Sequence, residues 1–445
     1  MLNAAIYALK KFIKFLLPEN MLLGYHRFLA SLAAWRYGHP SRKMIVIGVT
    51  GTKGKTTTVH LIAQVLMAMG KRVGFTTGVS FRVGDTEWPN MLKMTMPGRL
   101  KLQKLLARMR DDGCEYAIIE TTSEGIRQYR HYGIEYDMAV LTNMSPEHIE
   151  SHGSFEKYRE AKGRLFSSLI RRPLKHLNDK NIPTYSVLNR DDSTYDFFSH
   201  FFADRTTWYS THDDRNFQEG GLTAQQVVSG ETGSTFTIKS TPFSISLLGT
   251  HNVYNALAAT AACLLLGISL PDIASALKRS AAPAGRLQEI PTKKGFRVFV
   301  DYAHEPASLR SAYEALHLLK PKRLIVVLGS QGGGRDVAKR PKLGAVAAEY
   351  ADVIFITNED PYDEDPQKII SEVAQGVRSY VGKAVTEGEN LFLVPDRGEA
   401  IRQAIGKAQA GDVVMISGKG GEKSMAVGGG TLLPWDDVQV VKERL

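Results

Sequence analysis

Residues 48–58 read GVTGTKGKTTT, opening inside the apolar run MIVIGV (44–49) and running directly into VHLIAQVLMAMG, a stretch with helical character. A strand, a glycine-rich loop and a helix start in one piece form the arrangement that cradles a nucleoside triphosphate. Gly51 and Gly54 let the backbone bend closely around phosphate oxygens, with the N–H groups of Thr52 and its neighbours pointing into the bend. Lys55 can reach the β- and γ-phosphates, the Thr56 hydroxyl suits Mg²⁺, and Thr57 continues the turn at the helix start. One departure from the strict G-x-x-x-x-G-K-T spacing is visible: Val49 stands where glycine is expected, with Gly48 one residue early. A tight turn that happens to contain lysine is the alternative, and the flanking strand and helix argue against it. The loop reads as an ATP site.

Around it lies a chain of 445 residues, long enough for two or three domains with separate cores. Its two cysteines, Cys114 and Cys263, are far apart with no CxxC partner, which fits a reducing cytoplasm and argues against a zinc ribbon or disulfide framework. The net charge of +10 is concentrated at the start, where residues 1–43 hold seven Lys/Arg against one acid, Glu19. No aromatic-basic strip accompanies this excess, so nucleic acid is not an expected partner. LNAAIYALKKFIKFLLP carries apolar residues at helical spacing with three lysines between them, and MLLGYHRFLASLAAWRYG suits a second helix. Neither apolar run approaches the roughly 18–20 residues of a membrane span. Residues 1–43 fit either a helical hairpin packed on the main body or a basic amphipathic segment in peripheral contact with an anionic membrane.

From residue 44 strands and helices alternate: MIVIGV, a helix over 57–70, EYAIIE (115–120) and DMAVLT (137–142). This predicts an α/β fold, a central P-loop ATPase domain (44–283) with a mostly parallel sheet. Residues 178–248 read as a smaller strand-rich part, and HNVYNALAATAACLLLGI (251–268) as a buried helix. After the boundary loop PAGR (283–286), RVFVD, RLIVVLG, DVIFIT and DVVMIS alternate with helices again, giving a Rossmann-like C-terminal domain over 284–445. Ligands of such sheets bind beyond the carboxyl ends of the strands. Glu120 ends one strand, and TNMSPEHIESHG, with His148, follows another. Lys162 lies in the next helix pattern, between Tyr158 and Phe166. Singly they read as a helix-capping carboxylate, a satisfied histidine and a solvated lysine.

Together with the phosphate loop they carry a resemblance. TGTKGKTTT, TNMSPEHIESHGSFEKYREAK, GTHNVYNALAA, PAGRLQ, VDYAHEPASL and SGKGGE occur in an order and spacing that resemble the Mur ligase family, the ATP-dependent amide-forming ligases of bacterial cell-wall peptide assembly. The resemblance covers about residues 44–445, and GSQGGGRDVAKRPKLGAVAAEYADVIFITNEDP is most similar to the branch that adds the third peptide residue. It implies that a carboxylate takes the γ-phosphate of ATP, becomes an acyl phosphate and is attacked by an amino acid's amine. Thr56 and Glu120 would hold one Mg²⁺; His148 and Lys162, the latter as its carbamate, would bear on a second. Asn252 and Asn255 would face the adenine, Arg286 would reach the phosphates on domain closure, Asp301 would accept from the ribose, and His304 lies beside it.

For the acceptor, Ser123 and Arg130 match positions that contact a muramyl-peptide-type substrate, although Glu124 stands where the family usually has histidine. For the incoming amino acid, Arg335 would pair with the α-carboxylate, with Gly418 and Glu422 lining the amine or side chain. Where members adding meso-diaminopimelate show D-N-P-R, this chain reads Glu359-Asp360-Pro361-Tyr362, followed by Asp363, Glu364 and Asp365. An arginine-less acidic pocket at Asp360 and Tyr362 favours a lysine-like side chain. Only 47 residues precede Gly48, whereas full-length members carry a uridine-nucleotide domain there, so the resemblance leaves open a related ligase with a lipid-linked, folate or polypeptide acceptor. DYAH rather than DGAH argues against the folate branch. A catalytically lapsed binding subunit would show damage among Lys55, Thr56, Glu120, His148 and Lys162, all of which are present. The expectation is a cytoplasmic, monomeric enzyme of peptidoglycan precursor synthesis.

Overall fold

The computed structural model describes residues 19–146, 152–212, 220–334 and 336–445. The expected first helix, His148 and Arg335 lie outside the described residues. The chain divides into two compact units, one of the described residues up to Val227 with Thr235–Ile245 and Val253–Ser280, the other of Val228–Ser234, Ser246–Asn252 and Ala281–Leu445.

In the first unit, helix α1 (Glu19–Arg36) precedes β1 (Ile45–Thr50), and α2 (Lys55–Ala68) follows the phosphate loop. β2 (Val73–Thr76), β3 (Ser80–Val83), β4 (Thr86–Pro89), α3 (Arg99–Asp111), β5 (Tyr116–Glu120), the short α4 (Ser123–Arg127), β6 (Met138–Leu141) and α5 (Phe155–Ile170) come next. β7 (Tyr185–Asn189), β8 (Arg205–Ser210) and β9 (Leu222–Thr223) complete a nine-stranded sheet in the order β9-β8-β7-β6-β1-β5-β2-β3-β4. Pairing is parallel from β9 to β2, and β3 and β4 close that edge antiparallel. Buried on both faces, β1, β5 and β6 are near-continuous apolar runs, as helix-covered parallel strands must be. Val46, Ile119, Leu141, Leu165 and Phe166 fill one side of the sheet.

The stretch 178–248 is strand-rich as expected, and part of it belongs to the main sheet. Its fully buried segment YSVLN pairs with β6, and β7 to β9 continue the main sheet. A separate three-stranded sheet is formed by 225–230, 233–238 and 241–245. The expected long helix is α6 (Thr250–Leu265), followed by α7 (Leu270–Lys278).

The second unit carries β10 (Gln288–Ile290), β11 (Arg297–Asp301), β12 (Leu324–Leu328), β13 (Val353–Ile356), β14 (Leu391–Leu393) and β15 (Val413–Ser417), ordered β10-β11-β15-β12-β13-β14. Only β10 runs antiparallel to its neighbour. Helices α8 (Pro306–His317), α9 (Lys339–Tyr350), α10 (Pro366–Arg378), α11 (Arg397–Lys407) and α12 (Asp437–Arg444) supply its remaining layers. Leu309, Leu343 and Val373 pack in one core cluster, and Ile401, Ile405 and Val441 in another.

Candidate active site

Strand register positions the candidate residues of the first unit. Val49 pairs with Glu120 and Thr50 with Leu141, so β1, β5 and β6 end at one level and their following residues surround one loop. At Gly51 (φ 146°) a Cβ would lie 1.9 Å from the Thr142 hydroxyl, and at Gly54 (φ 77°) 2.1 Å from Asn255 Oδ1. Only glycine fits either position. The loop is clamped by residues that the motif does not name. Thr52 N–H donates to Asn143 O and Lys53 N–H to Asn143 Oδ1, while the Thr142 hydroxyl donates to Lys53 O at 2.6 Å. The hydroxyls of Thr52 and Tyr158 are 3.1 Å apart. Asn143 lies two residues past the end of β6, and a polar residue just beyond a strand end is the signal that could have found it. Asn189 and Asp192 brace the same stretch, donating to Thr142 O and accepting from Met144 N–H.

The Thr56 hydroxyl donates to Glu120 Oε2 at 2.8 Å, and Gly78 N–H donates to the same oxygen at 3.0 Å. Both side chains are buried, so a hydroxyl oxygen and a carboxylate oxygen converge in a hard-donor set that suits Mg²⁺. Lys55 bends its ammonium onto Gly51 O and Thr52 O, and the buried Lys162 ammonium reaches Gly51 O at 2.7 Å and stacks over the Tyr158 ring. Thr57 is buried in the first turn of α2, and Thr58 donates to Asn255 Oδ1 at 3.4 Å. Ser123 meets His152 Nε2 at 3.1 Å, with burial holding the imidazole below the ordinary histidine range. The Arg130 guanidinium is turned to Met96 O and Gln128 Oε1.

The second unit gathers Arg286, Asp301 and His304 about Tyr302. The Arg286 guanidinium lies 4.3 Å over its ring, and the His304 ring is 4.5 Å away. Asp301 accepts from Leu287 N–H and Ala303 N–H, which fixes the turn after β11. Asn252 donates to Leu248 O.

The acidic pocket expected around Asp360 needs correcting. Asp360 is buried against Lys419, which donates to both its oxygens at 2.9 Å, and it also accepts from Ala426 N–H. Asp363 accepts from Gly429 N–H, Glu364 pairs with Arg340, and Asp365 caps α10. Lys419 binds Glu422 as well, and Tyr362 (φ 52°) lies against Gly333. These acids are engaged by this unit's own cations and amides. Glu359 is the exception: it is fully buried, and neither oxygen has a hydrogen-bond partner among the described residues. Burial pushes its carboxyl up to about 7. Gly418 (φ 109°) touches it, since a Cβ there would fall 2.5 Å from Glu359 Oε2.

Residues 49–263 match the Mur ligase middle domain, and 285–420 the Mur ligase glutamate ligase domain. The chain belongs to the Mur ligase family. It is 38% identical to the UDP-N-acetylmuramoyl-L-alanyl-D-glutamate--2,6-diaminopimelate ligase of Geobacillus kaustophilus, over 96% of this chain and 85% of that one. It is also 38% identical to the UDP-N-acetylmuramyl-tripeptide synthetase of Roseiflexus sp. (strain RS-1), over 94% and 81%. Among solved structures, a UDP-N-acetylmuramoyl-L-alanyl-D-glutamate--2,6-diaminopimelate ligase superposes with a TM-score of 0.59 at 29% identity, covering 90% of this chain and 78% of that one. This Mur ligase is thus an ATP-dependent ligase that forms amide bonds.

Proposed function

We propose that this Mur ligase joins an amino acid to the carboxylate of a muramyl-peptide-type acceptor in peptidoglycan precursor synthesis, in the cytoplasm where ATP is available. The observation that carries the reading is the convergence of Thr56, Glu120, Lys55 and Lys162 on one glycine-rich loop, in a chain 38% identical to two ligases of muramyl peptides. An acceptor carboxylate oxygen attacks the γ-phosphorus and ADP leaves. The amine then attacks the acyl carbon, phosphate leaves and a proton is lost from nitrogen.

Lys55 and the loop N–H groups would hold the phosphates and offset charge on the transferring group. Thr56 and Glu120 would hold Mg²⁺, which when bound supplies Lewis-acid stabilisation of the phosphate oxygens. Buried lysines are readily modified when neutral, and a carbamate on Lys162 would convert a cation on Gly51 O into an anionic oxygen ligand; His148 is assigned to the same ion by the family pattern alone. Asn252, Asn255, Arg286, Asp301 and His304 are assigned to the nucleotide. Ser123 and Arg130 are assigned to the acceptor, and Arg335, Tyr362, Gly418 and Glu422 to the amino acid.

Tyr362 in place of an arginine supports a side chain without a distal carboxylate, such as that of L-lysine. Acceptor labelled with ¹⁸O in its carboxylate tests the acyl-phosphate step. One label should appear in the released phosphate for each amide formed, and unlabelled phosphate would refute the reading.

A further inference from the structure

Helix α1 turns a row of large apolar side chains away from the protein. Met21, Tyr25, Phe28, Leu32 and Trp35 are each between 45% and 70% exposed. Their spacing of four, three, four and three residues places all five on one face, a stripe about 21 Å long at 1.5 Å per residue. The opposite face is seated: Ala30, Ala33 and Ala34 are at most 1% exposed. Gly133 packs so closely there that a Cβ on it would lie 2.8 Å from Ala34 Cβ. Arg110 holds Tyr37 O just past the helix, and Arg42 pairs with Glu135. The helix therefore cannot roll to hide its stripe without giving up these contacts. A soluble monomer rarely leaves so ordered an apolar row in water.

We propose that this face of α1 is a docking surface for an anionic lipid bilayer, along which the helix lies parallel to the membrane plane. Charge selects this occupant over the others. Residues 1–43 carry Lys10, Lys11, Lys14, Arg27, Arg36, Arg42 and Lys43 against Glu19 alone. Residues 1–18 laid on the stripe, or a second copy of α1, would bring cations against cations. Arg42 pairs with Glu135 and Arg27 lies over the Tyr132 ring, and anionic headgroups complement the remaining excess. Tyr25 and Trp35 are the side-chain types that settle at the headgroup level, and Phe28 and Leu32 suit the acyl boundary. The surface is separate from the catalytic residues, so this inference stands or falls independently of the reaction assigned above.

The test uses the full chain sedimented with phosphatidylcholine vesicles, with and without one quarter phosphatidylglycerol. The intact protein should partition about tenfold more strongly onto the anionic vesicles. The Phe28→Ser/Trp35→Ser variant should lose about tenfold of that partition with its ATP affinity and urea midpoint unchanged. Leu32→Glu gives a second, single-site variant should the double substitution prove unstable. Equal partition of variants and intact protein would overturn the proposal, because charge alone would then bind. Absence of vesicle binding would also overturn it. So would a stripe-dependent dimer in light scattering that persists without lipid.

Discussion

The hydroxyl of Thr56 meets the carboxylate of Glu120 at 2.8 Å, joining the first turn of α2 to the end of β5 beside the phosphate loop. If this pair holds Mg²⁺, removing either oxygen donor costs transition-state stabilisation rather than folding. Glu120→Gln should lower kcat by about 100-fold and raise the Mg²⁺ concentration needed for half-maximal rate, with the urea midpoint little changed. Steady-state rates over a Mg²⁺ titration check this.

Gly51 is constrained by both conformation and space. Gly51→Ala would force a Cβ to within 1.9 Å of the Thr142 hydroxyl, which itself holds Lys53 O. The loop should open, with a stability loss of about 1–3 kcal/mol and ATP affinity reduced at least about tenfold. Calorimetric ATP titration and urea unfolding separate the two effects.

Asp137 and Lys175 form a buried ion pair at 2.5 Å that fastens the entry to β1. Lys175 also donates to Ser41 O, Met44 O and Glu135 O, and Asp137 accepts from Val46 N–H. Burial pushes both towards neutrality, raising the aspartate and lowering the lysine, while the partner opposes each shift. Lys175→Met leaves the buried carboxylate with only the more distant Arg172, 3.4 Å away, and should cost about 3 kcal/mol in urea unfolding. Asp137→Asn combined with Lys175→Met should cost less than Lys175→Met alone.

Glu359 makes stability depend on pH in an unusual direction. Its folded-state value, about 7, lies above its ordinary 4.5, so the folded protein binds the proton more tightly than the unfolded chain. The group's contribution is fully present below pH 4.5 and is lost as pH rises through about 7. Glu359→Gln should remove this loss and gain on the order of 2–3 kcal/mol relative to the parent protein at pH 8, with little difference at pH 4.5. Urea midpoints of both proteins across that range check it.

The phosphate loop and the parallel strands were legible because their signals are local: glycines at fixed offsets, and apolar runs ending in polar residues such as Glu120. Partners distant in sequence were not. Nothing around Asp360 announces that Lys419, in another motif, neutralises it, and so the run of acids after Glu359 read as a pocket. Nor does the spacing of Tyr158 and Lys162 announce that the Tyr158 hydroxyl reaches Thr52. Which sheet the strands of 178–248 join was not legible, because a short buried strand such as YSVLN does not announce its neighbours. The heptad spacing of Met21 to Trp35 was readable, but which face of α1 is buried depends on Gly133.

Amino-acid-dependent release of phosphate from ATP, with UDP-muramyl-dipeptide as acceptor, tests the central claim most directly. With L-lysine, L-ornithine and meso-diaminopimelate compared, turnover should be fastest with L-lysine, and the product should be heavier by one amino-acid residue. ATP binding without phosphate release for any of the three would contradict the assignment of a muramyl-peptide acceptor.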